Sequence, residues 1–311
     1  MKRLVIALGG NAILQFGQQG TVEEQTENLR VASRRLAPII GSWYQVVLTH
    51  GNGPQVGNLL IQQQSTKEVP PMPLDVCGAQ TQGQIGYLLQ KILFNELRRM
   101  GKKTKVATVP GMMMVKETDP AFEKPSKPVG PWFTHEEMLE SKNEGETWTE
   151  HPQKGWRKVV PSPRPIRIIN SKSIQTLLRN GQVVIACGGG GIPVVETRDG
   201  SLQGREAVID KDLAAERLAT GIQAHILMIL TDVSAVYADY GTPNEKPIHR
   251  IDVKDMRELL EKDIFPAGSI GPKVESAIRF VENGGEKAII ASLQDAEDAL
   301  KGKTGTIVVR E

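Results

Sequence analysis

The chain has 311 residues, with 38 Lys and Arg against 36 Asp and Glu, so its formal net charge of +2 gives no strong electrostatic case for binding nucleic acid or a membrane surface. Two cysteines are too few for the disulfide framework of a small secreted protein, and no apolar stretch approaches the roughly 18 residues of a membrane span, so we expect a cytoplasmic protein. At roughly 150 residues per domain, the length corresponds to two domains or to one large domain with an insertion.

Short β-branched runs alternate along the chain with longer segments of helical periodicity. Most of these runs are apolar at nearly every position, which is typical of strands that are buried on both faces of a parallel sheet. The predicted strands are Leu4–Leu8, Gln45–Thr49, Lys105–Val109, Val183–Cys187, Ile226–Leu230, Lys287–Ala291 and Thr306–Val309.

The segments between the strands have the spacing of amphipathic helices. Thr21 and Glu24 match a capping box at the start of the first helix. The repeated order of strand and helix predicts an α/β fold with an open, mostly parallel sheet and helices on both faces. The other predicted helices are Val76–Met100, Lys211–Leu218, Val253–Glu261, Val274–Glu282 and Gln294–Leu300.

Residues 116–158 break this alternation. They contain Trp132, Trp148 and Trp156, many charged residues and several prolines, but no long apolar run. The segment is too long for an ordinary loop, and its aromatic content argues against disorder. We interpret the chain as a single domain, residues 1–311, with residues 116–158 inserted as a small subdomain that acts as a lid.

Glycines are concentrated where predicted strands end and helices begin. In an open parallel sheet, ligands bind beyond the carboxyl ends of the strands, where glycine lets backbone N–H groups approach an anion. A tight β–α turn explains any single cluster equally well, but the group as a whole favours phosphate binding. The four clusters are Gly9 and Gly10; Gly51, Gly53 and Gly57; Gly188–Gly191; and Gly268 and Gly271.

The common phosphate-binding motifs do not account for these glycines. Gly302-Lys303-Thr304 looks like the end of a Walker A loop, but position 297 is Glu where the first glycine belongs. The segment Gly51–Gly57 is one residue longer than the dinucleotide fingerprint. The sequence therefore supports neither a P-loop NTPase nor a Rossmann dehydrogenase, and its five histidines show no metal-ligand spacing.

Three lysines stand in positions that suggest anion binding. Lys211 and Lys273 fall where helices are predicted to begin, and Lys127 lies in a stiff, proline-rich segment. A lysine at a helix N-terminus opposes the helix dipole, and phosphoryl transfer between two anions needs fixed cations. For any one lysine the ordinary alternative is a solvated surface charge. Asp212 could orient the lysines by ion pairing.

With these motifs the sequence resembles the carbamate kinases, a family within the amino acid kinase superfamily. The resemblance runs from the first predicted strand to the last, and Lys127 with its flanking prolines separates it from acetylglutamate and glutamate kinases. The matching segments are Val5–Ala12, His50–Gly57, Leu74–Ala79, Pro125–Pro131, Val160–Pro165, Ala207–Leu213, Leu230–Val233 and Ala267–Lys273.

The resemblance implies a three-layer α/β/α sandwich, usually homodimeric, that catalyses ATP + carbamate ⇌ ADP + carbamoyl phosphate with Mg²⁺. In such enzymes the reverse direction often makes ATP in fermentative arginine breakdown. No protein ligand of the metal is assigned. The implied catalytic residues are Lys127, Lys211, Asp212 and Lys273; those that bind the phosphoryl group and the small acid are Gly9, Gly10, Asn11, Gly51, Asn52 and Gly53; and those toward the nucleotide are Lys211, Thr231, Asp232, Tyr237, Gly271 and Lys273.

The expected mechanism is direct in-line transfer without a covalent enzyme intermediate, because the carbamate oxygen is already an anion and requires no general base. Two other functions stay open. A relative that phosphorylates a different small acid would use the same phosphate-binding residues. A ligand-sensing module would bind nucleotide without turnover, and loss of Lys127, Lys211 or Lys273 would mark it, yet all three are present.

Overall fold

The computed structural model describes residues 1–66, 68–141, 145–262, 264–265 and 270–310. Short 3₁₀ turns lie at Gly10–Ala12, Pro120–Phe122 and Gly188–Gly190. No helix in these ranges is long and apolar enough to cross a membrane. The α-helices are α1 (Val22–Ile40), α2 (Gly53–Gln64), α3 (Leu74–Arg99), α4 (His135–Ser141), α5 (Ser171–Arg179), α6 (Lys211–Gly221), α7 (Val253–Glu261), α8 (Ile270–Glu282) and α9 (Ala296–Leu300).

The strands form one large sheet and several small ones. The first half of the chain contributes β1 (Lys2–Leu8), β2 (Tyr44–His50), β3 (Val106–Val109), β4 (Met112–Met114), β5 (Lys127–Phe133), β6 (Thr147–His151) and β7 (Gly155–Val160). The second half contributes β8 (Arg167–Ile168), β9 (Val183–Ala186), β10 (Ile192–Glu196), β11 (Leu202–Gly204), β12 (Ile226–Thr231), β13 (Val236–Ala238), β14 (Lys246–Ile248), β15 (Arg250–Asp252), β16 (Lys287–Ser292) and β17 (Thr306–Val309).

The large sheet has eight strands in the order β15-β17-β16-β12-β1-β2-β9-β3. Every neighbouring pair is parallel except β16 and β17. The predicted mostly parallel α/β fold is therefore confirmed. Every predicted strand lies in this sheet. The observed first and last residues of each strand differ from the predicted ones by at most two positions.

Helices cover both faces of this sheet, which explains the continuous apolar runs. Along β1, Leu4, Ile6 and Leu8 pack into the core shared with α1, α3 and α9. Val5 and Ala7 point the other way, into the core shared with α5, α6, α7 and α8. Because successive side chains of a strand alternate between the two faces, both sets must be apolar.

The helices agree with prediction least well at their starts. The capping box is confirmed, since Thr21 Oγ1 accepts from the Glu24 N–H at 3.3 Å and the Glu24 carboxylate accepts from the Thr21 N–H at 3.0 Å. Helix α8 begins at Ile270, four residues before the predicted Val274, so Lys273 lies inside its first turn rather than before it. Helices α2, α4 and α5 were not predicted.

The inserted segment forms a separate antiparallel sheet with the strand order β5-β7-β6. Helix α4 lies between β5 and β6 in the chain. Aromatic side chains pack within it, and the Phe133 and Trp148 rings meet edge to face at 5.3 Å. Phe122, nearer the start of the segment, packs instead against the main core. The bounds of the subdomain, residues 116–158, stay a prediction.

Helix α2 supports this small sheet at a point where two glycine backbones meet. A Cβ on Gly57 would lie 2.6 Å from Gly130 Cα and 2.8 Å from Gly130 N, and Gly130 itself has a φ of +75°. Side chains cannot be accommodated at such distances. Gly57, one member of the second glycine cluster, therefore has a packing role against β5.

We expect Gly57→Ala to destabilise the protein by about 1–3 kcal/mol, because the added methyl group must push β5 away from α2. The matched control is Gly83→Ala on α3, where a Cβ would enter open space and the gain in helix propensity should stabilise by about 0.5–1 kcal/mol. Urea unfolding of both variants checks this prediction. Equal stability of the two would contradict it.

Candidate active site

The carboxyl ends of three adjacent strands bring two glycine clusters together. The register pairs Leu8 of β1 with His50 of β2 and with Leu230 of β12, so the loops after these strands start at the same level. A Cβ on Gly51 would lie 3.6 Å from Gly10 Cα and 3.5 Å from the Cδ of Lys211. Backbone from two loops and the stem of a lysine therefore surround one small space.

Asp212 joins two of the predicted catalytic lysines. Lys211 Nζ lies 2.5 Å from Asp212 Oδ1, and Lys273 Nζ lies 3.3 Å from Asp212 Oδ2. Asp212 is 3% exposed and Lys273 is 5% exposed. With two ammonium groups and one carboxylate, this three-residue cluster carries a net positive charge, which suits an anionic ligand.

Asp210, which sequence analysis did not select, holds the third lysine. Its Oδ1 caps α6 by accepting from the Asp212 N–H at 2.9 Å and the Leu213 N–H at 3.2 Å. Its Oδ2 lies 3.0 Å from Lys127 Nζ, which reaches across from β5. Burial by itself raises the pKa of Asp210, but the Lys127 ammonium and the cap hydrogen bonds outweigh it and bring that pKa below its ordinary value. The signal available in sequence was an Asp at a helix N-cap.

A cavity of about 700 Å³ opens beside the lysines. Its lining also includes residues that were not predicted, among them Phe16, Val31 and Gln294. A second cavity, of about 810 Å³, lies at the amino ends of the strands, is lined by Lys2, Tyr44 and their neighbours, and contains none of the predicted residues. The predicted residues that line the first cavity are Gly9, Gly10, Asn11, Lys211, Thr231, Asp232 and Lys273.

Other predicted residues lie outside this lining. Tyr237 lies on β13, where its hydroxyl is 2.8 Å from that of Ser234. Gly53 and Gly271 lie in the first turns of α2 and α8, and a Cβ on either would meet open space. Gly268 lies outside the described residues.

The third glycine cluster packs against the second loop. Cys187 has a left-handed φ of 55°, and the chain then turns so that a Cβ on Gly188 would lie 2.2 Å from His50 Cε1. A Cβ on Gly189 would lie equally close to the side chain of Asn52. These glycines are needed for close approach to two buried polar side chains, both next to Gly51.

His50 is buried and uncharged at neutral pH. Its Nδ1–H donates to the Gly51 carbonyl at 2.8 Å. Burial lowers the pKa of His50 from 6.5 to about 4, and the hydrogen bond to Gly51 offsets only part of that effect. The imidazole therefore contributes packing and a hydrogen bond to this edge, rather than positive charge.

The depressed pKa of His50 predicts acid sensitivity. Below pH 6.5 the unfolded chain binds a proton that the folded chain does not, so we expect stability to fall by about 2 kcal/mol between pH 7.5 and pH 5, and the loss to level off near pH 4. Urea unfolding at both pH values measures this difference. His50→Asn should remove that part of the pH dependence, whereas His249→Asn, at an exposed position, should retain it. The same pH dependence in both variants would contradict the assignment.

The described carboxylates do not form a metal cage. No group of three or more His, Cys, Asp or Glu side chains could hold a metal in the part of the chain that the structure describes. Asp210 and Asp212 are engaged by lysines. Asp232 accepts from the Thr231 hydroxyl at 2.9 Å and lies 3.5 Å from Asn11 Nδ2.

Comparison with known proteins shows similarity over the whole chain. The amino acid kinase family matches residues 2–292. The carbamate kinase of Thermococcus kodakarensis is 52% identical, with 100% of both chains covered, and that of Pyrococcus furiosus is 49% identical, with 99% of both covered. Among solved structures, the carbamate kinase from Giardia lamblia bound to AMP-PNP matches with a TM-score of 0.93 at 41% identity, covering 100% of this chain and 99% of that one.

Proposed function

The chain belongs to the amino acid kinase family, in which it groups with the carbamate kinases, and we propose that it transfers a phosphoryl group reversibly between ATP and carbamate, giving ADP and carbamoyl phosphate. The observation that carries this proposal is the carboxylate of Asp212 between Lys211 and Lys273, beside the backbone of Gly10 and Gly51. Two anionic reactants can meet only where cations and N–H groups are already in place.

The proposed chemistry needs little from the protein beyond position and charge. Lys211 and Lys273 neutralise the charge that spreads over the transferring phosphoryl group, and Asp212 holds both ammonium groups in place. The backbone at Gly9, Gly10 and Gly51 can approach phosphate oxygens without side-chain obstruction. The carbamate oxygen attacks as an anion, so the transfer proceeds in line, directly between the substrates, and needs no protein base or covalent intermediate.

The residues at this edge fit a Mg²⁺ ion that arrives with the nucleotide. Mg²⁺ retains waters and binds through substrate phosphates and one or two carboxylates, and Asp232 offers such a carboxylate beside the cavity. When bound, the ion would neutralise charge on the nucleotide phosphates. We place the phosphates at Lys211 and Lys273, with Thr231, Asp232 and Tyr237 toward the rest of the nucleotide.

Lys127 links the inserted subdomain to this chemistry. Its ion pair with Asp210 joins β5 to the N-cap residue of α6. We propose that residues 116–158 close over the bound substrates and that Lys127 then turns from Asp210 to the phosphoryl group. Hydrogen exchange measures this closure, and we expect slower exchange in the segment with nucleotide and a carbamate analogue. Unchanged exchange there would contradict the lid.

A homodimer is also proposed, with α3 at the interface. Tyr87 and Phe94 are 61% and 42% exposed on the outer face of α3, next to β3 at the edge of the large sheet. Aromatic side chains of this kind are enriched at interfaces. Sedimentation should give twice the chain mass, and Tyr87→Glu should shift it toward the monomer.

One assay tests the proposed reaction. Formation of ATP from ADP and carbamoyl phosphate, coupled to hexokinase and glucose-6-phosphate dehydrogenase, should proceed with purified protein and Mg²⁺. Absence of ATP formation would overturn the proposal. We further propose that the enzyme works in the cytoplasm and makes ATP in this direction during arginine breakdown.

A further inference from the structure

Helix α3 places two buried polar side chains directly behind the site. Thr81 and Gln82 are 0% and 2% exposed in a helix whose inner face is otherwise mainly apolar. The burial of Gln82 is explained by two hydrogen bonds to the backbone of one residue, since its Oε1 accepts from the Gly111 N–H at 2.8 Å and its Nε2 donates to the Gly111 carbonyl at 3.2 Å. Thr81 instead contacts a predicted substrate residue, Asn52.

The hydrogen bonds of Thr81 decide which way the Asn52 amide points. Thr81 has one hydroxyl proton, and it is donated to the Gly78 carbonyl at 2.6 Å. Its oxygen can therefore only accept from Asn52, at 2.8 Å, which places Nδ2 toward Thr81 and Oδ1 on the opposite side. No other hydrogen bond in the described chain fixes which end of the Asn52 side chain is the oxygen.

The rest of the surroundings hold the same amide without using its oxygen. A Cβ on Gly189 would lie 2.1 Å from Nδ2, 2.2 Å from Cγ and 2.4 Å from Oδ1 of Asn52, so the glycine backbone packs flat on the carboxamide. Asn52 is the N-cap of α2, yet its side chain makes no cap hydrogen bond. Nothing in the described chain donates to Oδ1.

The Asn52 oxygen is also open to a ligand. Asn52 is 6% exposed, and the fully enclosed side-chain polar atoms that lack a partner in the described chain belong to Ser33, Trp148 and Thr304 instead. Asn52 directly follows Gly51, where a Cβ would lie 3.5 Å from Lys211 Cδ. An oriented acceptor therefore lies next to the space that Gly10, Gly51 and the stem of Lys211 surround.

We propose that Thr81 is a positioning residue that fixes Asn52 Oδ1 as an acceptor for the amino group of carbamate, and that this contact selects carbamate over acids with no N–H group. The inference rests on the proposed function and identifies the N–H group of carbamate as the feature that the site recognises. Carbamate has an NH₂ group where acetate has a CH₃ group, and only the NH₂ group can donate a hydrogen bond. A site built around a substrate N–H rejects the analogue that lacks it, because its own acceptor is left unpaired.

The test compares carbamoyl phosphate with acetyl phosphate in the wild type, Thr81→Val and Thr81→Ser. Each compound is measured as a phosphoryl donor to ADP, and acetyl phosphate also as a competitive inhibitor. Valine removes the acceptor for Nδ2 with little change of shape, so the amide can rotate, whereas serine keeps the hydroxyl. We expect Thr81→Val to lower the preference for carbamoyl phosphate by about tenfold or more, and Thr81→Ser to stay within about threefold of the wild type.

The outcomes separate this inference from its premise. A merely structural role of Thr81 would lower the use of both donors equally, and an unchanged preference in Thr81→Val would therefore overturn the inference alone. If that variant does not fold, Thr81→Ala and the wild type decide, because a wild type that accepts acetyl phosphate as well as carbamoyl phosphate also overturns it. Absence of ATP formation from carbamoyl phosphate would overturn the proposed function and this inference together.

Discussion

We expect Lys211→Ala to lower kcat by roughly 10²–10³, the scale for loss of one preorganised electrostatic group. The reason is geometric, since Nζ of Lys211 is held 2.5 Å from Asp212 Oδ1 while its stem borders the space between Gly10 and Gly51. Charge that develops on the transferring phosphoryl group therefore meets a cation that needs no reorganisation. Steady-state assays of ATP formation measure kcat and KM separately.

A lysine of similar kind away from the site provides the control. Lys303 pairs with Asp298 at 3.3 Å on the surface, with its side chain 65% exposed, so Lys303→Ala should leave kcat unchanged. Lys211→Arg tests whether charge alone is enough, since its planar guanidinium differs in shape from an ammonium. A loss of kcat of tenfold or less in Lys211→Ala would contradict the assigned role.

Asp212→Asn should damage both activity and stability. The substitution removes the charge that faces two ammonium groups, and loss of one member of a buried ion pair costs about 3–5 kcal/mol. We also expect kcat to fall by roughly 10² or more, because neither lysine is then held in its reactive position. Urea unfolding and the ATP assay measure the two effects.

A double variant separates the two effects of Asp212→Asn. Adding Lys273→Met removes one of the buried cations, so it should recover part of the lost stability without recovering kcat. Asp298→Asn, which breaks an exposed pair with Lys303, should cost about 0.5 kcal/mol or less. Wild-type stability of Asp212→Asn would show that the buried carboxylate does not bind the lysines as described.

Most of the large sheet could be predicted from sequence because its strands have a strong local signal. In β12, for example, residues 226–230 are buried on both faces of the sheet and are all apolar. Helix α2 gives no such signal, since Gly53-Pro54 opens it and three glutamines close it. It is stabilised by contacts with α3, the next helix, and with β5, which comes from a distant part of the chain.

The candidate site was predictable where its residues carry a local pattern. Lys211 and Asp212 at a helix start, and the glycines after strand ends, are visible in the sequence. Ion pairing of the lysines by Asp212 was an expectation from the sequence, but the distance that joins Lys273 to it across 61 residues is set by the fold. The contact of Lys127 with Asp210 was not predicted, since nothing near either residue specifies the other.

The sequence by itself determined the α/β class, the positions of the main strands and the concentration of glycine and lysine beyond their ends. These features follow from periodicity and from short-range preferences of the backbone. Only the tertiary structure decided which carboxylate holds which lysine, why Gly57 and Gly189 have no side chain, and which end of the Asn52 amide is free. Those properties depend on distances between segments that are far apart in the chain. Because the groups are buried, small differences in these distances decide which contacts form.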